Sequence, residues 1–295
     1  MQKTGKILKT LVWGDSVSLA VLDTTVLVNE AIGRHGLTPV CAAALGRAMT
    51  ACAYLCSWLK DGESSLSMTF DGGGAGGKLC VAGDGELNIR GFLENPNCVL
   101  PPRADGKLDV GGCVGRDGYL TVVRDDGSGL PFTGSCALLT GEIAEDLSAY
   151  FLTSEQRPTA VALGVKISPD GTCVGAGGVF LQPLPNASEE ILRRTEEEIA
   201  SYSAISSLIA EKGAEEVLRD IENRPFDERE VRFRCRCSRE KSEAAVLTLG
   251  REDALDLVSR QGKISVHCHY CNTEYSFTEE DIKKLFEKRE GEERR

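Results

Sequence analysis

The sequence predicts an α+β protein with a large strand-rich N-terminal domain, packed helices, a helical linker and a small C-terminal domain. Short apolar runs separated by glycine-rich turns recur between residues 64 and 182, as in antiparallel sheets. Helical periodicity takes over in the acidic stretch 186–230. Two close cysteine pairs then mark residues 231–295 as a separate small domain. We therefore expect an α+β core domain at 1–185, the linker at 186–230 and the cysteine domain at 231–295.

Composition and targeting features favour a soluble cytoplasmic protein. The 295 residues are 41% hydrophobic and 27% charged, which is ordinary for a globular chain. No apolar run approaches the ~20 residues of a membrane helix. The N-terminal stretch has no continuous apolar segment of the kind that forms a secretion signal. In the cytoplasm thiols stay reduced, so the 12 cysteines are not expected to form a disulfide framework.

The negative charge of the chain is concentrated in the predicted linker. The formal net charge is −11, and residues 186–230 alone carry thirteen acidic and six basic side chains. A nucleic-acid-binding protein normally shows a basic stripe that contacts phosphates. No strong basic stripe is present, which argues against nucleic acid as the main partner.

The first domain begins with two predicted helices. Residues 24–34 have a helical pattern that Gly36 can end. Thr38 and Pro39 suit the cap and first turn of a second helix, which we expect to run to Gly62.

Strands and one more helix are predicted for the rest of the first domain. The strands are SLSMTF, KLCVAG, NIRGFL, YLTVVR and SCALLT, then, after the helix GEIAEDLSAYFL, AVALGVKIS and CVGAGGVFLQ.

The linker is predicted to be an amphipathic helix. Pro183 and Pro185 end the preceding strand, and Ser188 can cap the helix. The pattern continues more loosely towards residue 230. The apolar face must pack against another apolar surface. An ordinary structural helix remains an alternative to a regulatory one. Its apolar positions are Ile191, Leu192, Ile199, Tyr202, Ile205, Leu208 and Ile209.

The last domain begins with Cys235 and Cys237. Helices follow at KSEAAVLTLG and REDALDLVSRQG, and KISVHCHYCNTEYSF predicts a strand, a tight knuckle and a second strand. Thr278 is the expected cap of a final helix with acidic residues in its first turn.

The spacing C-x-C, thirty residues, C-x-x-C predicts a four-thiolate zinc site with one ion per chain. Its ligands would be Cys235, Cys237, Cys268 and Cys271. A thioredoxin-type pair should open a helix, whereas a strand-like run follows Cys271. The neighbouring histidines His267 and His269 are interpreted as tuning the thiolates rather than as ligands.

Four thiolates close the coordination shell, so the site is structural or regulatory rather than catalytic. Metal binding then supplies much of the folding free energy of the domain, on the order of 10 kcal/mol. Bound thiolates remain oxidisable, so the site is either a passive staple or a switch whose oxidation ejects zinc and unsettles the linker. Both interpretations stay open on the residues alone.

Other motifs carry no function. The stretch DGGGAGGKLCVAGDGE at 71–86 contains G-x-G-x-x-G, but Leu79 stands where a P-loop needs Ser or Thr, and no helix follows. It predicts a glycine-rich hairpin. The remaining eight cysteines are expected to be small buried hydrophobes, although Cys52 and Cys56 lie one helical turn apart. No catalytic constellation is found, and we expect no enzyme activity.

Several longer stretches resemble the 33 kDa chaperonin family of redox-regulated heat-shock chaperones. The similar stretches are GRHGLTPVCAAALGRAMTA at 33–51, GKLDVGGCVGRDGYLTVVRD at 106–125, DLSAYFLTSEQRPTA at 146–160 and AGGVFLQPLP at 176–185. The ending VRFRCRCSRE…VHCHYCNTEYSFTEEDI is the most specific, and the resemblance extends over the whole chain.

The resemblance implies an ATP-independent holdase that is inactive while its four cysteines bind zinc. Under oxidative stress the disulfides Cys235–Cys237 and Cys268–Cys271 are expected to form, zinc leaves, and the zinc domain and linker become disordered. The active form tends to dimerise and binds unfolding client proteins. The linker stripe from Ile191 to Ile209 is a candidate client or interdomain surface.

A zinc-ribbon nucleic-acid-binding protein is the alternative function. Arg232, Arg234, Arg236 and Arg239 cluster around the first cysteine pair and keep this possibility open. The same arginines would also lower the thiol pKa values and favour oxidation.

Overall fold

The computed structural model describes residues 4–127, 129–185 and 187–293, with side chains up to residue 289 in the last helix. The chain divides into two compact units, Met1–Arg234 and Cys235–Arg295. Each unit has a hydrophobic core of its own. The mixed α+β class that the sequence predicts is confirmed.

One ten-stranded sheet forms the framework of the first unit. Its order is β7-β6-β3-β4-β5-β10-β1-β2-β9-β8. The neighbours pair antiparallel except for β10 and β5, which run parallel. The strands are β1 Gly5–Val12, β2 Val17–Asp23, β3 Ser65–Gly73, β4 Leu79–Asp84, β5 Asn88–Leu93, β6 Gly115–Asp125, β7 Phe132–Ala137, β8 Ala160–Ile167, β9 Cys173–Pro183 and β10 Asp227–Phe233.

Helices of the first unit cover the sheet. They are α1 Thr25–His35, α2 Pro39–Cys56, α3 Val110–Val114, α4 Ala144–Thr153, α5 Glu189–Ala200 and α6 Ile205–Ile221. Gly36 ends α1 in the left-handed conformation, as predicted. The second helix ends at Cys56, earlier than the predicted stop at Gly62.

Helix α2 is the centre of the larger core. Within the described residues it alone is long and apolar enough to cross a membrane, yet 89% of it is buried inside the protein. The ring of Tyr54 stacks on Phe180 of the sheet with centroids 3.9 Å apart. The apolar character of α2 is therefore explained by its position in the core.

The glycine-rich stretch 71–86 forms a hairpin, as predicted, with β3 and β4 antiparallel. Its glycines leave room for the backbone of Val114 and Gly115 to pack against the hairpin. A Cβ atom on Gly74 would lie 2.4 Å from the carbonyl carbon of Val114, and one on Gly72 would lie 2.4 Å from the carbonyl oxygen of Gly115. These glycines are thus explained by packing, not by phosphate binding.

Helices α5 and α6, from the predicted linker, pack on a second apolar cluster of the sheet. Ser188 caps α5 by accepting a hydrogen bond from the Ile191 backbone, as predicted. Six of the seven apolar positions in the predicted stripe belong to this cluster, and Leu192 is 40% exposed. The sheet side of the cluster includes Leu8, Leu19, Val179 and Leu181.

The prediction of a continuous helix through the linker is wrong in three places. A turn separates α5 from α6, and Gly213 inside α6 has non-helical dihedrals, with φ 79°. Residues 227–230, expected to be helical, begin strand β10 between β1 and β5. Pro225 precedes this strand and cannot continue a helix, which explains the change.

Two glycines allow α6 to lie directly on the sheet. A Cβ on Gly175 of β9 would lie 2.2 Å from the Ser206 carbonyl oxygen and 2.9 Å from the Ala210 methyl carbon. One on Gly164 of β8 would lie 2.9 Å from the Ser206 amide nitrogen. Both contacts are shorter than van der Waals distance, so the helix rests on bare backbone.

Replacing Gly175 with alanine is expected to push α6 away from the sheet. We expect the protein to lose about 1–3 kcal/mol of stability, as in other overpacked contacts. Amide hydrogen exchange should increase in 205–221 and stay unchanged in α2. Val174→Ala, on an exposed neighbour, is the control. Unchanged protection of 205–221 in Gly175→Ala would show that the close contact does not hold the helix.

The second unit is small and has one modest core. Its elements are α7 Arg239–Leu247, α8 Arg251–Gln261, β11 Ile264–His267, β12 Glu274–Phe277 and α9 Glu279–Glu293. Thr278 caps α9 as predicted: its hydroxyl accepts from the Asp281 backbone, and the Asp281 carboxylate accepts from the Thr278 backbone. The buried core residues are Val246, Ala254, Val258, Ile264, Phe277, Ile282 and Phe286.

Candidate metal centre

The first cysteine pair lies on an irregular segment between β10 and α7. Cys235 and Cys237 are both half-buried, while Arg236 between them is exposed. This alternation follows from side chains two residues apart lying on one side of an extended chain. Ser238 then caps α7 by accepting a hydrogen bond from the Lys241 backbone. The pair is thus held beside a helix start.

The second pair lies on the knuckle that connects β11 and β12. The Cys268 backbone nitrogen donates to the Thr273 carbonyl at 3.0 Å, and the Cys268 carbonyl accepts from Cys271 and Asn272. Asn272 has a φ of 55°, a left-handed conformation that asparagine tolerates. The tight turn therefore places both thiols of the C-x-x-C pair on one side of the hairpin.

The four sulfur atoms converge in the second unit. Every pair of the four lies within 4.8 Å, and Sγ–Sγ distances are 3.6 Å for Cys235–Cys268 and 3.4 Å for Cys237–Cys271. Sulfurs bound tetrahedrally to zinc at ~2.3 Å are about 3.8 Å apart. The donor set therefore fits a tetrahedral metal ion, and these cysteines form a possible metal-binding site.

Hydroxyl groups support two of the sulfur atoms. The Tyr275 hydroxyl on β12 donates a hydrogen bond to the Cys237 sulfur at 3.2 Å, and the Thr273 hydroxyl lies 3.2 Å from the Cys271 sulfur. Such contacts orient ligands and stabilise their negative charge. Neither residue was predicted, because a tyrosine and a threonine beside a cysteine knuckle have no distinctive spacing.

Burial and crowding resist simultaneous ionisation of the four thiols without a cation. Burial raises the pKa of Cys235 strongly, and the nearby Cys237 and Cys268 thiols add to this rise. Burial also raises the pKa of Cys268. Burial opposes ionisation of Cys271 too, but hydrogen bonds with Thr273 and Cys237 lower the pKa of its thiol to about 7. A bound cation would reverse the rises by deprotonating its ligands.

The two neighbouring histidines lie outside the sulfur cluster. His267 and His269 are exposed, and the cluster in the described part of the chain contains cysteines alone. The interpretation that these histidines tune the thiolates stays a prediction.

Two of the four arginines near the first pair have acidic partners. Arg232 pairs with Glu230. Arg239 pairs with Asp281 at 3.4 Å and lies over the Phe277 ring at 4.5 Å. Part of the expected basic patch is therefore neutralised within the protein, which weakens the case for phosphate binding.

Comparison with known proteins gives the same family over nearly the whole chain. A family model described as Hsp33 protein matches residues 6–278. The 33 kDa chaperonin of Ruminiclostridium cellulolyticum is 38% identical over 267 residues, which are 89% of this chain and 91% of the relative. That of Geobacter sulfurreducens is 40% identical over 267 residues, which are 89% and 88% of the two chains.

A solved structure agrees with the fold. The crystal structure of the 33 kDa chaperonin from Thermotoga maritima, a heat shock protein 33 homologue, has a TM-score of 0.89 and 32% sequence identity. The similarity covers 97% of this chain and 99% of that one. By sequence and by fold, the chain therefore belongs to the Hsp33 family of chaperones.

Proposed function

We propose that this chaperone is an ATP-independent holdase that oxidation activates. In the reduced state Cys235, Cys237, Cys268 and Cys271 bind one zinc ion, and the protein is inactive. The four converging thiols, carried by a unit with a small core, are the observation that supports this proposal most directly. In a unit of this size a single apolar core rarely supplies more than about 3–5 kcal/mol, so a bound metal adds substantially to its stability.

Two disulfides are proposed for the oxidised state, Cys235–Cys237 and Cys268–Cys271. Each forms when one peroxide molecule accepts two electrons from two thiolates and, with two protons, becomes two water molecules. Oxidation of all four thiolates consumes two peroxides and removes the ligands, so the zinc ion is released. All four sulfurs lie within 4.8 Å of one another, so each of these pairs is close enough to react, as are Cys235–Cys268 and Cys237–Cys271 at 3.6 and 3.4 Å.

Three segments of the chain are proposed to carry separate roles. Residues 1–185 are the chaperone core, 186–230 the linker and 231–295 the redox-sensing zinc domain. Only Arg234 separates the end of β10 from Cys235, so unfolding of the zinc domain reaches this strand directly through the chain. We propose that the linker then unfolds.

Release of the linker would expose apolar surface on both sides of its contact with the sheet. Leu8, Val179 and Leu181 on the sheet, and Ile205 and Ile209 on α6, are buried in the same cluster. Exposed apolar patches of this kind bind other apolar surfaces. Unfolding client proteins present such surfaces, and we propose that they bind here.

Polar contacts keep the linker in place in the reduced state. The Glu222 carboxylate accepts a hydrogen bond from the Trp13 backbone at 2.7 Å, and Lys6 pairs with Glu215. The Arg194 guanidinium lies over the Trp13 ring at 4.2 Å. The linker is thus docked by specific contacts as well as by apolar burial, as an inactive state requires.

The assembly and location of the protein belong to the same proposal. We propose that the active form is a homodimer, because the exposed apolar surface would be present on each copy. Cytoplasmic localisation is proposed because a zinc-thiolate switch needs a reducing resting environment. No enzyme activity is proposed, and nucleic acid is the less favoured partner because Arg232 and Arg239 are ion-paired.

Light scattering of a heat-unfolding client protein tests the function. We expect the protein to suppress client aggregation after treatment with peroxide at mildly raised temperature, and not in its reduced state. The suppression should need no ATP and should reverse with thiol reductant. Salt-sensitive RNA binding by the reduced protein, with no suppression after oxidation, would support the zinc-ribbon alternative instead.

Replacing Tyr275 with phenylalanine is expected to make the switch more sensitive to peroxide. The substitution removes the hydrogen bond to the Cys237 sulfur, so the thiolate becomes more nucleophilic. We expect zinc release by peroxide to be about threefold faster, in line with the loss of one partly exposed hydrogen bond. Tyr119→Phe, a change of the same type at an exposed tyrosine of the first unit, is the control, and equal release rates for both variants would contradict this role.

A further inference from the structure

Three cysteines of the first unit form a second thiol cluster. Cys41 lies in the first turn of α2, Cys98 on the segment between β5 and α3, and Cys113 within α3. The Sγ–Sγ distances are 3.3 Å for Cys41–Cys98 and 3.7 Å for Cys98–Cys113, and all three sulfurs lie within 4.8 Å of one another. The three residues lie far apart in the sequence, so no spacing pattern predicts this cluster.

The backbone around the cluster is fixed by hydrogen bonds. The Thr38 hydroxyl, expected to cap α2, instead donates to the Cys98 carbonyl at 2.7 Å. The Thr38 backbone nitrogen donates to the Pro96 carbonyl at 3.2 Å, and the Cys113 backbone nitrogen donates to the Asp109 carbonyl at 3.1 Å. These bonds connect the start of α2, the Cys98 segment and α3, so the thiols are held together before any ligand binds.

A glycine makes room for the cluster on one side. A Cβ on Gly76 would lie 2.7 Å from the Cys113 sulfur. Cys41 and Cys113 are buried, whereas Cys98 is partly exposed. The cluster is therefore largely enclosed by protein, and a small ion can reach it at the partly exposed Cys98.

The donor set selects a soft metal ion. Thiolate ligands favour Cu(I), zinc and iron–sulfur clusters over hard cations. Tetrahedral zinc would need a water as its fourth ligand, because among the described residues no further Cys, His, Asp or Glu completes this largely enclosed group. Cu(I) is satisfied by three sulfurs in a plane, which at ~2.3 Å bonds are about 4.0 Å apart. The Cys41–Cys98 and Cys98–Cys113 sulfur pairs need to open by less than about 1 Å to reach this arrangement.

We propose that Cys41, Cys98 and Cys113 form a second metal site, which binds one Cu(I) ion by three thiolates. A disulfide would use two of the three thiols and leave the third unexplained, whereas one ion engages all of them. The site is in the first unit and is independent of the four-cysteine site and of the proposed switch.

Titration with Cu(I) under anaerobic conditions tests this site. The probe is Cu(I) supplied as its bicinchoninate complex to the reduced, full-length protein. The four-cysteine site also binds soft metals, so all proteins titrated carry Cys235, Cys237, Cys268 and Cys271 replaced by serine. In that background we expect one Cu(I) to bind, and the further change Cys98→Ser to abolish it. Cys80→Ser, at another half-buried thiol, should leave the one equivalent intact.

Two readouts decide the result. X-ray absorption of the one-equivalent complex should show Cu(I) bound by three sulfurs. In the same serine background, one equivalent of Cu(I) should protect Cys98 from alkylation, a readout that needs no substitution in the first unit. Equal copper binding with and without Cys98, or unprotected Cys98 in the copper-treated protein, would overturn the proposal.

Discussion

Hydrogen peroxide with mild heat is expected to release one zinc ion per chain and to consume four thiols. The reason is that the four sulfurs of Cys235, Cys237, Cys268 and Cys271 converge within 4.8 Å, so the loss of any pair to a disulfide leaves the ion with too few ligands. Chaperone activity should appear with the same time course. A chromogenic zinc chelator, thiol titration and client light scattering follow the three quantities in parallel.

Peptide mapping separates this reaction from oxidation of the other thiols. Eight cysteines lie in the first unit, and three of them, Cys80, Cys98 and Cys136, are partly exposed. The disulfides Cys235–Cys237 and Cys268–Cys271 should account for the four thiols lost. Cys80→Ser is the control and should release zinc at the rate of the unsubstituted protein. Chaperone activity that appears while zinc remains bound would contradict the switch.

Replacing Cys268 with serine is expected to unfold the second unit and leave residues 1–185 folded. Metal binding contributes on the order of 10 kcal/mol to such domains, and the apolar core of this unit is too small to replace it. The larger apolar cluster of the first unit lies almost wholly within residues 1–185. We therefore expect zinc affinity to fall by several orders of magnitude, with proteolysis concentrated in the linker and the second unit, residues 187–293.

His267→Ala provides the matched control for this variant. His267 is exposed and lies next to Cys268, but its side chain is outside the sulfur cluster. The control should keep zinc and resist proteolysis. If Cys268→Ser stays resistant in 235–293, or is cleaved uniformly along the chain, the metal does not act as the separate support of this unit.

Local sequence signals predicted most of the elements. Gly36 ends α1, Ser188 and Thr278 cap their helices, and the glycines between β3 and β4 form a hairpin. These features depend on residues close together in the chain, which is why pattern and capping rules identify them. The convergence of the two cysteine pairs followed from a known metal-ligand spacing.

Features that depend on distant residues were missed. Strand β10 completes the sheet between β1 and β5, and its charged sequence gives no alternating apolar pattern. Strands β1 and β2 were not assigned either. The cluster of Cys41, Cys98 and Cys113 depends on the packing of three segments, so no spacing could indicate it. In the sequence Gly175 is an ordinary strand residue, because its contact with α6 depends on residues more than thirty positions away.

Zinc analysis of the freshly purified, reduced protein tests the central claim most directly. Elemental analysis and X-ray absorption should find one zinc ion per chain, bound by four sulfur atoms, and the signal should be lost in Cys268→Ser. Reduced protein that contains no zinc, or zinc bound by nitrogen or oxygen in place of these sulfurs, would contradict the account.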